Sequence, residues 1–315
     1  SIVHAVLYYG LDFSTILFVF ISGFLFSYIN TENFDYGRYM WKKFKHVILP
    51  YMIVSIPALL DKLLIETDAV WMSDFYQHLS IPFKILYMLA TGKHQGPFYF
   101  IPMITVIFLL APVFYFLQKS KWFTVITAIV VFIGFFSFNY AYFATVGESV
   151  VYFIPVYLFG IWAGKNRDTV ATVNNSFLSF LILIFFLLFF LEWAGYIEVY
   201  RLKEFREPHY FDRVFNWAKL KMLILAIVLT NVFYRLRYRP STFLKHLGTY
   251  SFGIYFIHLY FISLVEYTLR YFNLDIKQNL FFFVAYVTFV TGGAMTCVFI
   301  VKKVMKENSR LIVGS

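Results

Sequence analysis

Cysteine is almost absent from this chain: Cys297 stands alone inside an apolar block. A single thiol cannot close an internal disulfide, and it excludes a metal site built on paired cysteines. Its simplest role is that of a small core residue. Charge is scarce too, at 14% of residues; a soluble domain carries about 25%. Several motifs are missing. There is no His-Glu-x-x-His, no carboxylate ladder and no glycine-rich nucleotide loop, so no metal is expected. The Gly-x-Ser-x-Gly elbow of hydrolases is missing as well, which argues against Ser22 as a nucleophile of that type. No secretory signal peptide, internal repeat or low-complexity linker appears. One membrane-embedded domain over residues 1–315 is therefore expected.

What the chain has in abundance is apolar surface. Of 315 residues, 61% are hydrophobic and 23% aromatic. One globular core stops growing at roughly 250–300 residues and could not hide so much. The apolar residues form long blocks, and about 20 of them match the ~30 Å hydrocarbon core of a bilayer. Short alternating segments, the mark of a membrane β-barrel, are absent. The reading is all-α: a polytopic transmembrane helix bundle. Full spans are expected at 11–29, 47–65, 97–117, 123–143, 150–164, 176–195, 216–234, 252–270 and 279–301. Residues 1–8 read as the outer end of a truncated first span, giving about ten in total. Gly160 and Gly164 would let the short 150–164 block pack closely.

The net charge of +10 reports topology before it reports any nucleic acid, and no nucleic-acid partner is expected. Sixteen of the 27 Lys and Arg fall in alternate loops. Arg38, Lys42, Lys43 and Lys45 occupy the first; Lys302, Lys303, Lys306 and Arg310 occupy the last. Basic loops stay cytoplasmic. This places the C-terminus and the 30–46 loop inside, and His4 near the outer face. Of two long outer loops, 66–96 suits an interfacial amphipathic helix. The other, 196–215, carries mixed charge that suits either a polar acceptor or plain solvation.

Four features carry candidate chemistry. His4 titrates near neutral pH and can take a proton from a hydroxyl, or it is simply an interfacial residue. Ser22-Gly23-Phe24 is either a helix-packing patch or the lining of a narrow acyl passage. The cluster Arg38, Lys42, Lys43, Lys45 and His46 before Pro50 signals topology, and it also suits a phosphorylated cytosolic donor, since arginine grips phosphate bidentately. His258 lies within an apolar span, where an ionisable group usually faces a partner. Asp12, Asp61 and Glu266 are the candidates for that partner.

Taken together, these pieces resemble the acyltransferase-3 family of integral membrane O-acyltransferases. His4 matches the histidine closing the family's first span. Phe18 to Phe24 matches its Phe-Phe-x-x-Ser-Gly-Phe, and Lys42 to His46 with Pro50-Tyr51 matches the basic run opening the third span. Gly96-Pro97-Phe98-Tyr99-Phe100 and Ser251 to His258 match two later motifs. The resemblance implies transfer of an acetyl or succinyl group from cytosolic acyl-CoA, acetyl-CoA above all, to a carbohydrate hydroxyl of a cell-surface or exported glycan. In that scheme His4 is the catalytic base and Ser22, Gly23 and Phe24 line the acyl passage. Arg38, Lys42, Lys43 and Lys45 bind the donor, and Tyr99, Tyr255 and His258 support the site. The polysaccharide-modifying, intercellular-adhesin-like branch is the nearest. A bacterial inner membrane, contact with membrane lipid and partnership with glycan synthase or export proteins follow from it. Tyr99 and Ile104 stand where peptidoglycan-modifying members carry Trp and Glu, which argues against a peptidoglycan acceptor. The alternatives are an exporter of polysaccharide or lipid-linked sugar and a membrane scaffold for a glycan synthase.

Overall fold

The computed structural model describes residues 14–29, 34–64, 74–137, 145–194, 196, 215–236, 241–273 and 280–314. Every regular element among them is a helix. Those that build the architecture are α1 (Thr15–Ile29), α2 (Tyr36–Leu64), α3 (Ile81–Thr91), α4 (Gly96–Leu109), α5 (Ala111–Lys119), α6 (Phe123–Gly134), α7 (Val146–Lys165), α8 (Asn175–Trp193), α9 (Trp217–Leu236), α10 (Thr242–Tyr271), α11 (Leu280–Met305) and α12 (Ser309–Val313). Six of these are long and apolar enough to cross a membrane. A seventh crossing is available if α4 and α5, bent by 54° at their junction, count as one span. Each of the nine expected full spans overlaps a helix or, at 97–117, that bent pair, but the helix in the 123–143 span ends at Gly134. The helices α1 and α6 are shorter than a bilayer crossing. The chain is an all-α, polytopic integral membrane protein.

Two compact units divide it: residues 38–101 with 240–315, and residues 2–37 with 102–239. The second unit is built on contact between α1 and α7. Gly160 and Gly164 lie one turn apart on α7, and Gly23 faces them from α1. A Cβ added at Gly160 would collide with the carbonyl oxygen of Phe20, and one at Gly23 would collide with that of Tyr157. Backbones this close exclude any side chain, which is how membrane helices associate where lipid is as apolar as they are. Helix α7 starts earlier than its apolar block because Thr145 and Glu148 form a capping box ahead of it.

Three cationic or amide side chains of this unit are buried within it. Lys219 on α9 donates to Gly134 O (2.7 Å), Ser137 Oγ (2.7 Å) and Tyr152 O (3.2 Å), which uses all three of its protons. Its ammonium also lies 3.6 Å from the Tyr152 ring centroid. Lys221, two residues further along α9, pairs with Glu192 of α8. Asn231 donates to Ala171 O at 2.9 Å. The side-chain nitrogen of each thus meets the demand that a polar atom away from water find a partner.

In the first unit, α2 is the central helix. Leu59 packs with Tyr76 and Met88, so α3, within the expected 66–96 loop, folds against α2. Gly92 ends α3 in a left-handed conformation (φ 71°), and a Cβ there would fall 2.5 Å from the Tyr99 backbone. Only glycine satisfies both constraints. Between α10 and α11, a Cβ on Gly293 would run into the Phe261 ring, so Gly293 is a packing position, as its setting in the last apolar block suggests.

Candidate functional site

Within the first unit, α2 is interrupted by a π-helical turn at Phe44–Ile48. Such turns widen a helix locally and recur at functional sites. Here two of its residues, Lys45 and His46, line a cleft of about 660 Å³ together with Lys302, Lys306, Asn308 and Arg310, with Ser309 and Leu311 completing the wall. Arg310 acts electrostatically on both His46 and Lys302. Like charges gathered around one cleft repel each other, and a bound anion relieves that repulsion. His46 Nδ1 is buried without a hydrogen-bond partner among the described residues, an unsatisfied group of the kind a ligand completes.

Of the four cations expected to bind a donor, Lys45 lines this cleft. Arg38 and Lys42 are exposed on the preceding turns of α2, and Lys43 lies over the Tyr39 ring at 5.3 Å. The remaining cations of the cleft are Lys302 at the C-terminal end of α11, Lys306 in the turn after it and Arg310 in α12. In the sequence they count as topology signals; only packing brings them beside Lys45.

A second cluster is buried higher on α2. His94, in the turn between α3 and α4, has 0% exposure, as does Ser55. His94 Nδ1 is 3.0 Å from Met88 O, and Nε2 is 2.8 Å from Ser55 Oγ. A carbonyl can only accept, so Nδ1 carries the proton. In the neutral ring Nε2 is then the acceptor, and the Ser55 hydroxyl donates to it. Burial holds the ring neutral by lowering its pKa to about 4, and the positive charge of Lys62 adds to this.

Aromatic rings close over the pair. The Tyr51 centroid is 5.8 Å from that of His94, and Phe98 is 5.4 Å from it. Phe98 in turn meets Phe256 edge-on at 5.9 Å. Tyr51 donates to Leu89 O (2.9 Å), Tyr255 donates to Pro97 O (2.7 Å), and Tyr260 donates to Val54 O. The segments 96–100 and 251–258, matched to one family in the sequence, therefore meet around one point, together with Tyr51 from α2.

These motifs run through nearly the whole chain in the family's order, and the comparison with known families covers the same stretch: residues 2–300 match Acyl_transf_3, described as an acyltransferase domain. The chain belongs to the acyltransferase-3 family. It is therefore a membrane acyltransferase that moves an acyl group other than an aminoacyl group. No curated protein and no solved structure matches it.

The remaining expected site residues of this acyltransferase are distributed as follows. His4 lies outside the described residues, as does nearly all of the 196–215 loop. Gly23 faces the α7 backbone, the packing alternative for its motif, while its neighbours Ser22 and Phe24 are half-buried. Tyr99 and Tyr255 are both half-buried beside the Ser55–His94 cluster. His258 Nδ1 bonds Ile254 O of its own helix at 3.0 Å, and Asp61 pairs with neighbouring Lys62 at 3.8 Å. His94 escapes a reading of the sequence because Gly92-Lys93-His94-Gln95 has the polar composition of a loop. Its nearest signal is the glycine two residues before it, where a tight turn reverses the chain.

Proposed function

We propose that this acyltransferase transfers an acetyl or succinyl group from acyl-CoA to a carbohydrate hydroxyl of a cell-surface or exported glycan. The observation that carries this reading is the cleft at the π-turn of α2. Four basic side chains, Lys45, Lys302, Lys306 and Arg310, together with His46, suit the three phosphates of coenzyme A. Arg38, Lys42 and Lys43 extend the same positive field along α2 and draw the donor in. The alternation of basic loops supports a cytoplasmic position for this cleft and for the C-terminus, in a bacterial inner membrane. Ser22 and Phe24 line the passage of the acyl group, with Gly23 setting the spacing of the helices behind them. Tyr99, Tyr255 and His258 shape the surroundings of the acyl carbon.

His4 serves as general base on the acceptor hydroxyl. An imidazole near neutral pH suits that role, which is worth roughly 10²–10⁴-fold in rate. The whole unit works as one membrane domain in contact with lipid, a glycan acceptor and the synthase or export proteins that deliver it. One observation favours the exporter alternative: the 54° break between α4 and α5, since transporters use discontinuous helices.

Purified protein in lipid nanodiscs tests the reading. Acetyl-CoA or succinyl-CoA should bind, and adenosine 3′,5′-bisphosphate should compete. Surface glycans of cells with and without the gene should differ in mass by one acyl unit. Glycan flux with no consumption of acyl-CoA would replace this reading with export. Normal transfer by His4→Ala would remove His4 from the mechanism.

A further inference from the structure

The Ser55–His94 pair is unused by the reaction just described, yet it has the parts of an activated nucleophile. Such a site needs a hydroxyl hydrogen-bonded to a base and a third group that orients the base. Ser55 Oγ is 2.8 Å from His94 Nε2, and His94 Nδ1 is held by Met88 O at 3.0 Å. The carbonyl fixes the tautomer that leaves Nε2 free to accept the serine proton. A purely structural tie between α2 and α3 is already supplied by Tyr51, which donates to Leu89 O at 2.9 Å.

Position strengthens the case. Ser55 and the cleft residue His46 lie on the same helix, nine residues apart. At 1.5 Å rise per residue this is about 13 Å along the axis. A donor whose phosphates sit in the cleft, with its flexible arm extended along α2, brings its thioester to the depth of Ser55. The two motif-bearing segments, 96–100 and 251–258, converge there through Phe98 and Phe256.

We propose that Ser55 carries the acyl group as a transient ester and that His94 is its base. This rests on the acyl-CoA reading above. In the first half-reaction, Ser55 Oγ attacks the thioester carbonyl and gives its proton to His94 Nε2. The carbon–sulfur bond breaks, and His94 passes that proton to the departing sulfur, so coenzyme A leaves as a thiol. In the second, the acceptor hydroxyl attacks the ester carbonyl and loses its proton to the general base of the acceptor step, which sheds it to water. The bond to Ser55 Oγ breaks, and one proton from water returns to that oxygen through His94. The cycle consumes one thioester and forms one ester, with no oxidant or metal. The Tyr51 and Phe98 rings cover the pair. Their cover shields the ester from water.

The test incubates full-length protein in nanodiscs with acetyl-CoA and no acceptor, then denatures it and measures the mass of the peptide containing Ser55. The expected result is one added acetyl group on Ser55, absent in Ser55→Ala and formed at least 100-fold more slowly in His94→Gln. Ser55→Cys keeps a nucleophile of similar size and should yield a hydroxylamine-labile thioester at the same position, a readout that a packing role would not produce. Wild-type turnover by Ser55→Ala overturns the proposal. So does the lack of any acyl group at this position, in the wild type and in Ser55→Cys alike, during active turnover. If acetyl-CoA neither binds nor is consumed by any form of the protein, the acyl-CoA reading itself fails. Consumption with glycan acetylation but no dependence on Ser55 removes only the covalent step.

Discussion

The α1–α7 contact in one unit and the Ser55–His94 pocket in the other use the same apolar composition in opposite ways. In the first, side chains are removed. Gly23, Gly160 and Gly164 let two backbones touch, and almost nothing there can react. In the second, large rings enclose two small polar groups that satisfy each other. Lys219, Lys221 and Glu192 show that the packing unit also buries charge, but there every Lys219 proton and the Lys221 charge are met by fixed oxygens. The Ser55–His94 pair instead holds a proton between two groups that can exchange it. Burial alone therefore does not mark reactivity; what matters is whether the buried hydrogen bonds can be rearranged.

The comparison can be broken or sharpened in order of effect. Gly160→Leu should be the most severe change, since even a Cβ collides with the Phe20 carbonyl. Loss of the monodisperse folded protein on size-exclusion chromatography is expected, because no rotamer relieves a backbone clash. Recovery of wild-type protein would show that the α1–α7 contact is not structural.

Lys221→Met alone should cost about 3–5 kcal/mol by leaving Glu192 buried without its cation, whereas Lys221→Met combined with Glu192→Leu should recover most of that. Thermal unfolding of both single variants and the double variant measures the coupling.

Acid should destabilise the first unit through His94. Its folded pKa of about 4 lies below the ordinary 6.5, so the unfolded chain binds the proton more readily. This contribution is intact above pH 6.5 and is lost as pH falls from 6.5 to 4, by roughly 3 kcal/mol in all. Lys62 and the rings of Tyr51 and Phe98 are the neighbours that keep the ring neutral. His94→Gln should flatten the slope of stability against pH over that interval; an unchanged slope would assign it to other groups.

Lys306→Ala and Arg310→Ala should each raise the KM for acyl-CoA roughly tenfold, as expected for loss of one charge-assisted hydrogen bond. kcat and thermal stability should stay unchanged. A fall in kcat at constant KM would put these residues outside donor binding. The smallest effect is expected at Gly292, where an added Cβ meets nothing within 4 Å. Gly292→Ala should be neutral or stabilising by about 0.5–1 kcal/mol, in contrast to Gly160 in the packing unit.

The helices are legible because a bilayer demands long apolar blocks, and the loops between them are legible because their Lys and Arg alternate. The Gly160–Gly164 spacing on α7 indicates a close contact, and the structure supplies its partner on α1. The site is legible only in pieces. Lys45, Tyr99 and Tyr255 stand in motifs that point to a role, but Lys302, Lys306 and Arg310 look like ordinary cytoplasmic charges. Ser55 looks like one polar residue in a span, and His94 like part of a polar turn.

Sequence by itself determined that this protein is a helical membrane acyltransferase, because bilayer thickness, charge asymmetry and ordered motifs act on short stretches of chain. Only the tertiary structure decided which polar residues meet. The cleft joins residues some 260 positions apart, and the Ser55–His94 hydrogen bond spans 39. Contacts of that range arise from packing a whole unit, where the need to satisfy each buried donor selects partners that local pattern does not specify.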